Sequence, residues 1–306
     1  MSASGSTRAI MAALAANAGI AVAKFVGFLI TQSSSMLAES VHSVADTSNQ
    51  ALLLFGQRQA RKQATSLHQF GYGRSRFFYS FVVALVLFSL GAMFAIYEGI
   101  HKIRHPEPLR SAAVAVVILL IAMALEGYSF RTAMVESRPL KGSGSWWHFI
   151  RRSRNPELPV VLLEDSGALI GLSFALIGVG LTILTGDPVW DGVGTLLIGG
   201  LLAVIAVILM VEMKSLLIGE GATGAELAAI QAALERTEHV DRVIHLRTQY
   251  LGPEEMLVGA KIALGASDDL TTVAAAIDRA EAAVREAVPA ARIIYLEPDL
   301  DRTPAR

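Results

Sequence analysis

The sequence predicts an α-helical membrane protein, a six-transmembrane-helix bundle followed by a small α+β domain of order αββαβ. Three observations predict it. Apolar stretches at about 9–30, 77–100, 111–132, 158–185 and 189–213 each reach the roughly 20 helical residues that a bilayer takes. Lysine and arginine concentrate in alternate loops between them. After Lys214 the apolar runs stop and short helix-like and strand-like segments take over. Composition agrees: 53% of residues are hydrophobic and 17% charged, against about 25% charged in soluble domains.

The first span follows a short, weakly basic segment without the small-residue cleavage site of a signal peptide, so no cleaved leader is expected. The second span, 33–57, is the polar one, with Glu39, His42, Asp46, Asn49 and Gln50. Its apolar residues leave these largely on one side, which suits a span whose polar face is shielded inside a bundle. Basic residues support counting it. With a cytoplasmic amino terminus, the inside loops hold Arg58, Arg61, Lys62, Arg74 and Arg76, then Arg138, Lys141, Arg151, Arg152 and Arg154. The outside loops hold no charge at 31–34, Lys102, Arg104 and Arg110 at 101–110, and only Asp187 at 185–188. That bias fits the positive-inside rule with six spans and fails with five. Gly142–Ser145 reads as a flexible linker, and Asp187 and Asp191 as complements to the dipole of the sixth span.

The division falls at 217/218: a membrane domain, 1–217, and a cytoplasmic dimerisation domain, 218–306, with a flexible tail. In the second, Ala225–Glu235 and Leu270–Val288 have helical periodicity. Val243–Tyr250, Met256–Leu264 and Arg292–Leu296 read as strands, the first two joined by a turn at Gly252-Pro253.

Carboxylates and an imidazole cost several kcal/mol in a bilayer, so a chain that keeps them there uses them. Glu39, His42 and Asp46 at i, i+3 and i+7 share one helix face, and Glu164-Asp165 interrupts the fifth span. Neutral imidazole with ionised carboxylates suits zinc and related divalent ions. The bland reading, a polar network gluing helices, would favour Ser, Thr, Asn and Gln instead. Lys24 and Glu126 read as an ion pair or as snorkelling groups, with a proton path as the alternative. The chain has no cysteine, which excludes disulfides, thiolate metal sites and cysteine nucleophiles. Its net charge of −1 gives no reason to expect a nucleic-acid partner. A zinc protease would carry H-E-x-x-H on a helix, and none is present.

The run Ser33-Ser34-Ser35-Met36-Leu37-Ala38-Glu39 leads into His42-x-x-x-Asp46. Phe70-Gly71-Tyr72-Gly73-Arg74, Glu164-Asp165, Trp190-Asp191, Lys214–Glu220 and Leu246-Arg247-Thr248 follow in order. In this order and spacing the chain resembles the cation diffusion facilitators over nearly its whole length. The fifth-span Leu-Glu-Asp and the Trp146-Trp147 loop with its arginines resemble the branch containing the animal mitochondrial zinc transporter.

The resemblance implies a transport site of two ligands from the second span and two from the fifth. His42 and Asp46 match the first pair and Asp165 one of the second, while the remaining position falls on Val161. Opposed span directions set His42 level with Asp165 and Asp46 level with Val161. Glu164, about 60° around the helix from the Val161 direction, is taken as fourth ligand, with Glu39 and water as the alternatives. Glu39 lies about 10 Å along the axis from Asp46, too far for both to clasp an ion held at about 2 Å, which favours an exit-path role for it. Arg74 is expected to pair with Glu220 or Glu212. Zinc-loaded members have histidines where Ile244, Ala260 and Tyr295 stand here, so the second domain is expected to dimerise without metal. The loop after the second span keeps only His68, with Tyr72 in place of a ligand.

Metal ligands must be deprotonated, so metal and protons compete for one site. The expected function is export of a divalent cation, zinc foremost with manganese, iron and cobalt as other candidates, in exchange for protons by alternating access. An intramembrane hydrolase and a passive cation channel are the rival readings. No permanently bound cofactor is expected. The expected partners are the metal ion and protons as transported ligands, the lipid bilayer and a second copy, in a bacterial inner membrane with both termini cytoplasmic.

Overall fold

The computed structural model describes residues 3–109, 111–265 and 269–300; of the flexible tail expected beyond Pro298, Asp299 instead ends the last strand and the part past Leu300 lies outside them, as does Arg110 of the 101–110 loop. Two compact units result, Met1–Gln59 with Arg76–Lys214, and Ala60–Ser75 with Ser215–Arg306.

The first unit is helical. Its long helices are α1 (Ala3–Thr31), α2 (Ser34–Ala60), α3 (Ser75–Arg104), α4 (Ala112–Lys141), α6 (Glu157–Thr185) and α7 (Val189–Ile218). Within α3, Leu87–Met93 winds as a π-helix. A short α5 (Trp146–Arg152) follows the Gly142–Ser145 stretch, where Ser145 Oγ caps it by accepting from His148 N at 3.1 Å. α4 runs nine residues past its apolar stretch, because leaving the bilayer does not oblige a helix to stop. Gly142, at φ 58°, ends it, a conformation glycine adopts without steric cost.

Among the described residues, four helices, α3, α4, α6 and α7, are long and apolar enough to cross a membrane. Among the described residues α1 contributes a shorter apolar run, Asn17–Thr31, and α2 is too polar to count by composition. The structure thus gives four clear spans, with α2 distinguished by how it is packed. Ser35, Glu39, His42, Asp46, Asn49, Leu53 and Gly56, alternately four and three residues apart, are all buried, while Val44 and Phe55 are exposed. Polar inside and apolar outside reverses the order of a water-soluble helix. Lipid favours it, since polar groups need partners there. The same outward apolar stripes run along α1 (Val22, Phe25, Leu29), α4 (Val117, Ile121) and α7 (Leu197, Val204, Val211).

Small residues set the helix spacing. A Cβ on Gly194 of α7 would stand 2.9 Å from Phe174 O and 3.4 Å from Gly178 Cα of α6. A Cβ on Gly199 would stand 2.7 Å from Ile96 N of α3. With no hydrophobic drive between helices in lipid, such close backbone approach supplies the packing. Gly194→Val should therefore force α6 and α7 apart and cost about 1–3 kcal/mol, read as a lower melting temperature in detergent; an unchanged melt would show the interface to be slack. The core between the helices is Leu87, Leu119, Leu172, Ile198, Leu202 and Leu209 with their neighbours.

The second unit is an αββαβ fold: α8 (Gly224–Glu235), β1 (Val240–Gly252), β2 (Glu255–Leu264), α9 (Leu270–Ala287) and β3 (Ala291–Asp299). β1 and β2 form an antiparallel hairpin, and β3 joins β2 in parallel, a connection that needs the crossover α9 provides. Thr223 and Glu226 close a capping box at α8, and Tyr250 Oη donates to Glu226 at 2.6 Å. Asp269 caps α9; the Thr272 N–H it accepts holds its carboxyl below the usual carboxylate range. Ile230, Leu234, Met256, Val258, Val284 and Ile294 form the core. The segment 60–75 belongs to this unit because Gly73 lies against the end of β1, where a Cβ would meet Leu251 O at 2.7 Å.

Candidate metal site

The buried row on α2 places its polar atoms in the bundle interior, facing α1 and α6. His42 is 1% exposed, and its Nε2 lies 3.6 Å from Asp46 Oδ2 one turn on. On α6, Glu164 and Asp165 are both buried. Glu164 Oε1 accepts from Asn49 Nδ2 of α2 at 2.6 Å, and Asp165 Oδ2 accepts from Ser129 Oγ of α4 at 3.1 Å. Among the described residues, however, no group of three His, Asp or Glu side chains stands close enough to clasp one ion. Each of the four expected ligands instead has a polar neighbour.

Several buried atoms of α2 are left without a hydrogen-bond partner: both ring nitrogens of His42, Asp46 Oδ1, Asn49 Oδ1 and Glu39 Oε1. Buried polar atoms are rarely left so, and every one of these except a protonated ring nitrogen has a lone pair to offer a cation.

The register of α2 against α6 differs from the expected one. Glu39 Oε1 reaches Gly171, where a Cβ would stand 2.8 Å away, and Asn49 meets Glu164. In antiparallel helices the first contact sets Asp46 level with Glu164 and the second sets it level with Gly167, rather than Val161, and His42 falls between Ala168 and Gly171 rather than at Asp165. Side chains lean toward the N-terminus of their own helix, which slides the contacting levels away from plain residue counting. Val161, with no donor to offer, is three to six residues below the Asp46 level.

Other expected partners are corrected as well. Lys24 pairs with Glu39, at 3.0 Å, rather than with Glu126. Glu212 accepts from Arg151 Nε at 2.9 Å, which takes one of the two partners expected for Arg74, whose own Nε is buried without a hydrogen bond. Arg76, not singled out from sequence, grips Glu157 through two bonds of 2.5 and 2.7 Å, tying the start of α3 to the start of α6. Asp191, expected to serve its own helix, is wholly buried and caps α2 instead. Its carboxylate accepts from Ser33 Oγ at 2.9 Å, Ser34 N at 2.8 Å, Ser35 N at 3.4 Å and Ser35 Oγ. Asn49 and Ser129 were also missed as partners, although Asn49 lies seven residues from His42 on the same face.

The accessory positions do not converge. Ala260 is in the core of the second unit, while Tyr295, 61% exposed, is on the opposite face of the sheet, beside Gly259. The rings of His68 and Tyr72 lie against each other, tilted by 32°, with centres 4.5 Å apart.

The sequence matches the cation efflux transmembrane domain over residues 10–218. It is 32% identical over 244 residues to the mouse (Mus musculus) protein named proton-coupled zinc antiporter SLC30A9, mitochondrial, covering 79% of this chain and 43% of that one. It is 30% identical over 261 residues to metal tolerance protein C4 of Arabidopsis thaliana, covering 84% and 57%. The magnetosome protein MamM of Paramagnetospirillum magneticum matches at 27% over 261 residues, covering 80% and 74%. The chain thus spans about half the length of the first two relatives. A matched family domain on a bundle whose polar residues are turned inward leads to one assignment: the chain is an integral membrane protein and belongs to the cation efflux, or cation diffusion facilitator, family.

Proposed function

We propose that this protein exports a divalent cation, zinc foremost, in exchange for protons, using His42, Asp46, Glu164 and Asp165 as the ligands that carry the ion across. The observation that carries the reading is that His42 and Asp46 of α2, with unpartnered buried atoms, face the buried carboxylates Glu164 and Asp165 of α6. A cation satisfies these groups together, and protons satisfy them one at a time. Because ligation needs the deprotonated forms, each ion bound displaces protons, and each ion released makes room for them. The zinc and proton coupling in the mouse relative's name supports the same exchange.

Asn49 and Ser129 each hold one oxygen of an α6 carboxylate and so orient Glu164 and Asp165 toward the ion. One histidine with three carboxylates is an oxygen-rich shell that admits manganese more readily than a two-histidine shell does. The distribution of arginine and lysine supports six spans, α1 and α2 included, with both termini cytoplasmic; the membrane we propose is a bacterial inner membrane. The second unit serves as the cytoplasmic dimerisation domain and joins two copies without bound metal, since Ile244, Ala260 and Tyr295 supply no histidine to hold one.

Purified full-length protein in proteoliposomes tests the function. Zinc should move saturably against an imposed proton gradient, with manganese, iron and cobalt compared in the same vesicles. Zinc flux that does not saturate and persists without the gradient would indicate a channel and overturn the exchange reading.

A further inference from the structure

Lys24 is 0% exposed in the middle of α1, and a buried ammonium in a membrane helix is a functional feature by default. Its Nζ donates to Glu39 Oε2 at 3.0 Å and to Ser43 Oγ at 2.9 Å, both on α2. Glu39 is also 0% exposed. It sits one turn, about 4.5 Å, from His42 on the face that carries the ligand row. Only half of its carboxylate is engaged. Oε1 has no hydrogen-bond partner and lies in the space left by Gly171, where any Cβ would come within 2.8 Å of it. Gly171 is seven residues from Glu164, two turns along the same face of α6. Glu39 is therefore a carboxylate with a free oxygen, one turn from the site, held by a tethered cation on one side and admitted by a glycine on the other.

We propose that Lys24 is a positioning residue that parks Glu39 outside the metal's coordination shell and so limits how tightly the ion is held. The proposal rests on the ligand assignment above. A transported ion must bind well enough to enter and weakly enough to leave. A fourth carboxylate joining His42, Asp46, Glu164 and Asp165 would add both a donor and a negative charge, and would slow release. The ammonium removes that option by occupying Glu39 itself, and it places one positive charge beside the site whether or not metal is bound. Gly171 is the counterpart on α6, since a larger residue there would push Glu39 from its parked position toward the ligands.

The test compares wild type, Lys24→Met, Lys24→Arg and Glu39→Gln as purified full-length protein, measuring equilibrium zinc binding, the X-ray absorption spectrum of the bound zinc, and turnover in vesicles. Lys24→Met should bind zinc at least tenfold more tightly, show an added oxygen in the zinc shell and turn over more slowly. Lys24→Arg should keep wild-type coordination and most of the turnover, and Lys24→Met with Glu39→Gln should lose the added oxygen. Should Lys24→Met fold poorly without metal, zinc should raise its melting temperature by more than it raises that of wild type, because the released carboxylate then gains its partner from the ion. Glu39→Gln alone should leave the zinc spectrum unchanged; loss of an oxygen there would make Glu39 a resident ligand and overturn the proposal. Unchanged affinity and coordination in Lys24→Met would overturn it too. Asp46→Ala separates the two levels: if it binds zinc as wild type does, the ligand assignment itself has failed. If it loses zinc while Lys24→Met behaves as wild type, only the role of Lys24 has failed.

Discussion

Asp46→Ala and Asp165→Ala should each abolish zinc-driven proton movement in vesicles while leaving a folded, membrane-inserted protein. Removing a ligand from a site of four deletes a donor and an anionic charge together, and the nearby carboxylate of Glu39 is held away by Lys24. Glu164→Gln keeps the shape and the Asn49 contact but loses the charge, so it should weaken zinc affinity with less effect on folding. Asn49→Ala removes only the group that orients Glu164, and outer-shell partners of this kind are worth about 10–100-fold in metal affinity. The expected order of damage is therefore Asp46→Ala and Asp165→Ala first, Glu164→Gln next and Asn49→Ala last. Wild-type transport by either alanine variant would sink the site, and an Asn49 variant more damaging than Glu164→Gln would move the ligand role from Glu164 to Asn49.

The parts of this molecule that were legible in its sequence are those set by local pattern. Apolar length marked α3, α4, α6 and α7, and the alternation of Met256, Val258, Ala260 and Ile262 marked β2. Spacing on α2 revealed that Glu39, His42 and Asp46 share a face, and the structure extends that face to Ser35, Asn49, Leu53 and Gly56. What pattern does not carry is the register of one helix on another. Counting residues set Asp46 against Val161, whereas the contacts of Glu39 at Gly171 and of Asn49 with Glu164 set it three to six residues further along α6. The same gap misassigned Lys24 to Glu126, because two acidic residues on different helices cannot be ranked until it is known which helix α1 touches at that depth. The attachment of 60–75 to the second unit was invisible for a related reason. It depends on Gly73 and Gly252 having no side chains, and nothing local announces a contact made by an absence.

Asp191→Ala should be the most destabilising single change outside the ligand row. The first N–H groups of a helix have no partner within it, and a side-chain cap is worth about 0.5–2 kcal/mol. Here the cap is a wholly buried carboxylate that accepts from the Ser34 and Ser35 amides and from two serine hydroxyls. Alanine would leave the amides unsatisfied at about 1–3 kcal/mol each, while the hydroxyls can turn toward other acceptors. A total cost of about 3–5 kcal/mol lowers the melting temperature by roughly 10 °C for a chain of this size. The damage should reach function through position. Asp191 fixes the start of α2 against α7, and His42 and Asp46 follow two and three turns along the same rigid helix, so a loosened cap lets the ligand row slide relative to α6. Asp191→Asn keeps the shape and one acceptor oxygen and should recover about half of the lost stability, together with most of the zinc affinity. Ser33→Ala removes one hydroxyl donor and should cost about 1 kcal/mol. If Asp191→Ala melts within about 1 kcal/mol of wild type, the start of α2 is held by its packing and the carboxylate is not its anchor.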